Sequence, residues 1–447
     1  MFKQDELNIV SADSDVDLDE ELYRLLEDYE FQWSTSYQIE QCVSGCFSSV
    51  QYTIGKIILL TVLQRLIIST VFPSSAKHLS CIFLGSLVLF DWIPRTNTLM
   101  TFFPFSFCFA LILLSTSKSK GFVVTCACIV SVLIMQSLMS AAEFVAIRGI
   151  IMVLTMKLSS LAFDTAGTAG AANAIPFLAY LINPATIIFG PFYSIRDFED
   201  TLQCKSVKEE VVNILWGIAV LFLAFLMLIY SSCSPIVFDG VAVFGDYFTA
   251  QSFRTSHYFV CFLSQGLITI SGLRISTCSP LSVELPRSLV EVVVGWNISM
   301  HRYLRSYVYL KFAFLGAAAS IFISFAISSL MHGLNFQISA VLLSLGFVCY
   351  FENKLRNRIS KRFSMCVRAR PCKNCEHQRG WACWQTILIN LLFFVHSVYQ
   401  LIYLGAPFDG EGASEGYTYH HTLSVWKRHH YAAHWISFGV ALASICI

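Results

Sequence analysis

Long apolar runs dominate the pattern of hydrophobic and polar positions and predict membrane-spanning helices. Runs of about 20 apolar residues, the length that crosses a bilayer as a helix, recur from about residue 53 to the C-terminus. Examples are IGKIILLTVLQRLIISTVF, FVVTCACIVSVLIMQSLM, VNILWGIAVLFLAFLMLIY and FAFLGAAASIFISFAISSLM. The pattern predicts an all-α, polytopic membrane protein with about eleven transmembrane helices. No internal repeat is apparent, which disfavours a transporter built from inverted halves.

Two apolar segments are too irregular to be simple spanning helices. GTAGAANAIPFLAYLINPATIIFGPFYS holds three prolines, and PLSVELPRSLVEVVVGWNISMHRYL holds two prolines and two glutamates. Irregular backbone at membrane depth is tolerated only where protein or a watery cavity satisfies its polar groups. We therefore predict short re-entrant segments here, and we expect Arg287 to form a buried pair with Glu284 or Glu291.

Polar residues concentrate at the N-terminus. The stretch DSDVDLDEELYRLLEDYE is acidic and lacks the basic start and apolar core of a signal peptide. We expect residues 1–50 to form a disordered or weakly helical tail and residues 51–447 to form the membrane domain. Only 13% of the 447 residues are charged and the net charge is +1, so nucleic acid is not expected as a partner.

The largest hydrophilic loop is strongly basic. It reads ENKLRNRISKRFSMCVRARPCKNCEHQRG, and its lysines and arginines far outnumber its two glutamates. The positive-inside rule places such a loop in the cytosol. The loop could act as a topological anchor alone, or it could also bind a phosphate-bearing ligand.

The 16 cysteines are scattered, mostly within apolar runs, and lack the spacing of a disulfide scaffold. Within the basic loop, CVRARPCKNCEH supplies four possible zinc ligands: Cys366, Cys372, Cys375 and His377. The spacing is irregular and the second half of the usual zinc signature is missing. Two alternatives stay open, a structural metal and free cytosolic thiols, and the second is favoured. Cys204, next to Lys205, carries a weak signal for S-acylation.

His332, in AISSLMHGLNFQIS, is the main candidate for chemistry. An ionisable group at the end of a long apolar run is costly to bury, which favours a functional role over a satisfied core histidine. Histidine is also the usual general base near neutral pH. Asn297, in GWNISM, is the second candidate, because an amide can donate a hydrogen bond to a developing oxyanion. Trp296 and Met300 indicate that this segment is buried rather than glycosylated.

The C-terminal region HHTLSVWKRHHYAAHW offers a rival constellation. It resembles the histidine boxes of membrane di-iron enzymes, but those need several boxes spread along the chain. Surface histidines before the last helix are the favoured interpretation. A further alternative is a transporter that uses His332 in a proton relay.

The combination of His332 after a long apolar helix with an upstream Asn297 in a Trp-Asn context resembles the membrane-bound O-acyltransferase family. SPLSVELPRSLVEVVVGWNISMHRYLRSYVY, IRGIIMVLTMKLSSLAFD and TIIFGPFYSIRDF further resemble the branch of that family that acylates Wnt proteins. The resemblance covers about residues 50 to 447 and implies the fold of that family. It excludes the acidic tail.

The resemblance implies a reaction in the endoplasmic reticulum membrane, in which a palmitoleoyl group moves from palmitoleoyl-CoA to a serine hydroxyl of a Wnt protein. His332 and Asn297 match the catalytic positions of the family, and no metal or cofactor is implied. The expected partners are Wnt proteins, acyl-CoA and membrane lipids. We expect five residues to contact substrate or to orient the site: Trp296, Met300, Ser328, Ser329 and Arg196. An acyltransferase for a lipid or another peptide remains the nearest alternative.

Overall fold

The computed structural model describes residues 34–70, 72–238, 245–372, 375–409 and 418–447. The described residues form helices and no β-strand, in agreement with the predicted all-α class. The first helix begins at Thr35, so residues 35–50 of the predicted acidic tail are helical. The rest of that tail, residues 1–33, lies outside the described residues.

The N-terminal half of the membrane domain consists of α1 to α7. Their bounds are Thr35–Ile68, Ser74–Trp92, Thr98–Leu114, Lys120–Leu138, Ala141–Asp164, Ala174–Leu181 and Ile195–Thr201. The C-terminal half contains α8 to α17. Their bounds are Val207–Phe238, Gly245–Ile270, Pro280–Glu284, Leu289–Trp296, Ile298–Leu304, Ala317–Met331, Phe336–Phe363, Trp384–Gly405, Tyr419–Arg428 and Ala432–Cys446.

Six of these helices, α1, α4, α5, α8, α14 and α15, are long and apolar enough to cross a membrane. Four shorter apolar segments accompany them. The polytopic character is thus confirmed within the described chain, whereas the count of about eleven spans is not. Many leucines and phenylalanines on the outer faces are exposed, as in Phe103 and Phe222. Such a surface suits lipid as its solvent.

The first irregular segment lies inside the bundle and is held there by a buried lysine. Lys157, on α5, donates to the carbonyl oxygens of Tyr180 and Leu181 at 2.9 and 3.2 Å. It also donates to the Thr186 hydroxyl at 2.8 Å. These bonds satisfy carbonyls that the short α6 leaves unpaired at its end. The polar backbone groups of this irregular segment are therefore satisfied by a side chain of the protein, as the sequence analysis required.

The second irregular segment differs from the prediction in its ion pairs. Glu284 binds Arg254 of α9, with both carboxylate oxygens accepting hydrogen bonds at 2.8 and 2.9 Å. The Arg287 guanidinium instead donates to the carbonyl oxygens of Cys366 and Arg368. The predicted ion pair of the Arg287 guanidinium with Glu284 or Glu291 is therefore wrong, because the basic loop folds back over this segment and supplies acceptors. Glu291 instead accepts from the Arg287 backbone amide at 3.2 Å.

Two long-range links fix the order of the outer helices. Cys42 of α1 and Cys233 of α8 form a disulfide across 191 positions of sequence. Near the other ends of the same helices, Arg65 forms an ion pair with Glu210 and donates to the Thr201 carbonyl. The cysteine spacing along the chain did not indicate this disulfide.

Candidate active site

Asn297 lies at the break between α11 and α12, where the chain turns within the bundle. Its backbone is extended, and its side-chain oxygen caps α12 by accepting from the Met300 amide at 2.9 Å. The same oxygen accepts from the Ser299 hydroxyl at 3.2 Å. The side-chain NH₂ group makes no hydrogen bond within the described part of the chain. The cap thus uses the acceptor of the amide and leaves its donor available.

The break is held open by a neighbouring segment that lies alongside it. The Ser279 amide donates to the Gly295 carbonyl, and the Ile298 amide donates to the Thr277 carbonyl, each at 2.8 Å. A Cβ atom at Gly295 would lie 3.2 Å from the Ser279 carbonyl oxygen. Glycine suits this position because the two backbones approach closely.

Trp296 and His257 form the wall next to Asn297. The rings of these two residues stack with centroids 4.4 Å apart and an angle of 3° between their planes. His257 Nε2, on α9, also donates to the Trp296 carbonyl at 3.0 Å. Both side chains are half-buried. The sequence analysis missed His257, although its place in the apolar stretch HYFVCFL gave the same signal that pointed to His332.

His332 caps the C-terminus of α13. Its backbone amide donates to the Ser329 carbonyl, and the chain then turns through Gly333, whose φ is +87°. Gln136 of α4 binds both the amide and the carbonyl of Leu334, which follows the turn. A left-handed glycine after the last helical residues is a common helix stop. The helix therefore ends at the histidine and a neighbouring helix holds the turn in place.

The environment of His332 connects it to the Asn297 region. His257, which is bonded to Trp296, lies within electrostatic range of His332, as does Arg148 of α5. Met331, the residue before the histidine, packs in one buried cluster with Met300. His332 is itself half-buried. The structure thus brings the two predicted catalytic residues to one region of the bundle, and adds His257 and Arg148 to it.

The residues predicted to contact substrate or to orient the site have different surroundings. Met300 is buried and its side chain packs in the core. The Ser329 hydroxyl donates to the Ser339 hydroxyl at 2.7 Å. Ser328 is also buried. A role of Ser328 and Ser329 in orienting the His332 ring stays a prediction.

Arg196 is exposed at the start of α7. It is within electrostatic range of Asp164 and Tyr307, which are joined by a hydrogen bond of 2.9 Å. Within the described part of the chain, no hydrogen bond or ion pair joins Arg196 to His332. A role in binding the phosphates of a donor therefore stays a prediction.

The C-terminal histidines have separate partners. His421 Nε2 lies 3.3 Å from an Asp409 carboxylate oxygen, and His434 Nδ1 lies 2.8 Å from the Tyr403 hydroxyl. Within the described chain these histidines do not gather into a metal-ligand group. The di-iron alternative gains no support from this arrangement.

An open cavity of about 450 Å³ lies against the basic loop. Asn353 and Asn357 of α14 form one wall, and Arg368, Arg370 and Cys372 form another. Guanidinium and amide groups are suitable donors to phosphate oxygens. This cavity is a better candidate for an anionic ligand than the predicted Arg196, because its basic residues converge on one space.

Comparison with known proteins gives the same family that the sequence motifs indicate. Residues 135–395, more than half of the chain, match the model of the membrane-bound O-acyltransferase family. The chain is 30% identical over 418 residues to the protein-serine O-palmitoleoyltransferase porcupine of Caenorhabditis briggsae, covering 87% of this chain and 93% of that protein. It is also 30% identical to the porcupine proteins of Mus musculus and Homo sapiens, over 90% of this chain and 96% of each relative.

These similarities span both irregular segments, the basic loop and the helix that ends at His332. They confirm the predicted branch of the family, because these relatives are named protein-serine O-palmitoleoyltransferases. Six of the described helices are long and apolar enough to cross a membrane, which agrees with a multi-pass member of the family. The chain therefore belongs to the membrane-bound O-acyltransferase family.

Proposed function

We propose that the chain is a protein-serine O-palmitoleoyltransferase that acts on Wnt proteins in the endoplasmic reticulum membrane. Its donor would be palmitoleoyl-CoA. The observation that carries the proposal is that Met331, next to His332, and Met300, which Asn297 caps, pack in one buried cluster. This packing places His332 in the same region as Asn297, whose NH₂ group makes no hydrogen bond within the described residues. The porcupine name of relatives that align over nine-tenths of the chain supports the choice of acyl group and acceptor.

The proposed reaction is an acyl transfer from a thioester to an alcohol. The imidazole of His332 removes the proton from the acceptor serine while the serine oxygen attacks the thioester carbonyl. The Asn297 NH₂ group donates to the oxygen that becomes negative. The carbon–sulfur bond then breaks, and the imidazolium returns its proton to the departing thiolate of coenzyme A.

The two substrates would reach this region from different directions. The basic cavity between α14 and the loop offers Arg368 and Arg370 to the phosphates of coenzyme A. The apolar side chains of the bundle suit the acyl chain. A secreted acceptor would arrive from the lumenal side, since the basic loop marks the cytosolic side. The site would then be a passage with two entrances.

The decisive experiment uses the purified full-length protein in detergent, palmitoleoyl-CoA and a disulfide-closed Wnt hairpin peptide. Mass spectrometry would detect the serine ester. His332→Ala should lower the rate by about 10²- to 10⁴-fold, the usual contribution of a general base. His420→Ala is the matched control, because His420 is an exposed histidine. It should retain full activity.

The same assay separates the proposal from its nearest alternative. A lysophospholipid would replace the peptide as acceptor at equal concentration. Esterification of the lipid and not of the peptide would contradict the protein acceptor, while leaving acyl transfer intact. Full activity of His332→Ala would instead contradict the assigned base. Proton transport without ester formation would favour the relay that the sequence also allowed.

A further inference from the structure

Three cysteines and a histidine of the basic loop gather into a compact group away from His332. Its members are Cys366, Cys372, Cys375 and His377, and the ligand atoms all lie within 4.8 Å of one another. None of the three cysteines is in a disulfide. Neither the acyl-transfer chemistry nor the comparisons assign this group a role.

The separations within the group match a tetrahedral metal site. His377 Nδ1 lies 3.4 Å from Cys375 Sγ and 3.9 Å from Cys372 Sγ. A zinc ion with tetrahedral bonds of about 2.3 Å to sulfur and about 2.0 Å to nitrogen separates those atoms by about 3.5 Å. The side chains therefore already lie close to the positions that a single ion would demand.

The second nitrogen of His377 has the partner that a metal-bound histidine usually has. His377 Nε2 lies 2.9 Å from the hydroxyl of Ser360, a buried residue of α14. If Nδ1 binds a cation, Nε2 carries the hydrogen and donates a hydrogen bond to this hydroxyl. The hydrogen bond thus aims Nδ1 at the cysteines and fixes the ring.

Backbone hydrogen bonds close the loop around the group. The Cys366 amide donates to the Arg379 carbonyl at 3.1 Å, and the Arg379 amide donates to the Ser364 carbonyl at 2.9 Å. The Gln378 amide donates to the Ser364 hydroxyl at 3.0 Å. These bonds bring the first cysteine next to the histidine, although eleven positions of sequence separate them. The site is therefore framed by the fold and is not a chance cluster on a surface.

We propose that this group binds one structural Zn²⁺ through Cys366 Sγ, Cys372 Sγ, Cys375 Sγ and His377 Nδ1. Three thiolates and one imidazole are a preferred ligand set for zinc and a poor one for magnesium or calcium. Four protein ligands close the coordination sphere, so the ion holds structure and does not activate water. The basic loop marks the cytosolic side, where thiols stay reduced and bind metal rather than pair.

The ion would fasten the wall of the basic cavity. The Cys366 carbonyl accepts from Arg287 at 2.9 Å and from Asn390 at 3.2 Å, so the loop is tied to two other elements. Cys372 is itself a lining residue of the cavity, together with Arg370. A metal at the group therefore fixes the arginine-bearing wall against α14 and against the segment that leads to Asn297.

The metal content of the full-length protein tests the proposal independently of acyl transfer. Protein purified without chelator should contain about one zinc per chain by mass spectrometry of elements, as a closed four-ligand site requires. Cys375→Ser should lose the zinc. Cys383→Ser is the matched control, because Cys383 lies in the same region outside the group, and it should keep the zinc. Wild-type protein without zinc, or equal zinc in Cys375→Ser, would overturn the proposal.

Two further measurements keep the proposal testable if Cys375→Ser fails to fold. A mercurial reagent added to folded wild-type protein should release zinc, detected with a chromogenic chelator, as thiolate ligands are consumed. Ser360→Ala should weaken zinc binding by about 10- to 100-fold, because it removes the partner of His377 Nε2. No release on thiol modification would show that the cysteines are not ligands. A disulfide between any two of them in the purified protein would also refute the site.

Discussion

Replacing Asn297 with serine separates the two tasks that its side chain performs. The Oδ1 atom caps α12 through the Met300 amide at 2.9 Å, whereas the NH₂ group is proposed to bind the oxyanion. Serine is about as good as asparagine as an N-cap, but its short side chain cannot reach a reacting carbonyl. The variant Asn297→Ser should therefore keep the fold and lose the donor.

The two tasks differ enough in energy to be measured apart. Loss of one oxyanion donor reduces kcat by about 10²- to 10³-fold, or about 3–4 kcal/mol. Loss of an N-cap lowers stability by about 1 kcal/mol. Asn297→Ser should thus be slowed by that factor while its melting temperature in detergent stays close to wild type. Asn297→Ala should be slowed equally and should also melt at a lower temperature.

Single-turnover transfer of palmitoleoyl to the hairpin peptide, with both substrates saturating, gives the rate without the binding steps. Thermal unfolding of the same samples gives the stability. A wild-type rate in Asn297→Ser would refute the oxyanion role and leave Asn297 as a cap alone. A rate that falls only in Asn297→Ala, in step with its stability, would lead to the same conclusion.

Three other changes test the supports of the site. Arg356→Met leaves the carboxylate of Glu352 buried without its partner, which should lower the free energy of unfolding by about 3–5 kcal/mol. Adding Glu352→Leu should restore part of the loss. No recovery in thermal unfolding would contradict the pairing. Gly333→Ala places a side chain in a left-handed turn and within 2.5 Å of a neighbouring glutamine oxygen, so the free energy of unfolding should fall by about 1–2 kcal/mol. The acyl transfer rate should also fall, because the His332 ring moves. An unchanged rate would show that the turn does not position the ring. His257→Phe keeps an aromatic ring against the tryptophan but removes its hydrogen bond to the Trp296 carbonyl, so the free energy of unfolding should fall by about 1 kcal/mol. A wild-type melting temperature would assign His257 to packing alone.

The local sequence pattern predicted those features that depend on a single segment of the chain. Apolar runs predicted the helices, since a helix in a membrane must present apolar side chains over its length. The rarity of a polar group in such runs singled out His332, and the Trp296–Asn297 pair stood out in an irregular segment. The spacing of cysteines around His377 showed possible metal ligands but not whether they meet.

Contacts between distant segments were decided only by the tertiary structure. Nothing in the sequence near Cys42 indicates a bond to Cys233, and Glu284 binds Arg254 rather than the adjacent Arg287. Packing selects among ion-pair partners that are chemically equivalent. A charged residue therefore need not pair with the opposite charge nearest to it in sequence.

The sequence by itself determined that this chain is helical and lies in a membrane, because hydrophobicity and residue type act locally. It also singled out His332 and Asn297 as candidates, whose catalytic roles stay predictions. The tertiary structure decided that His257 and Arg148 lie near His332. It also decided that the loop cysteines converge on one point, since backbone hydrogen bonds between distant residues, not sequence spacing, set those distances.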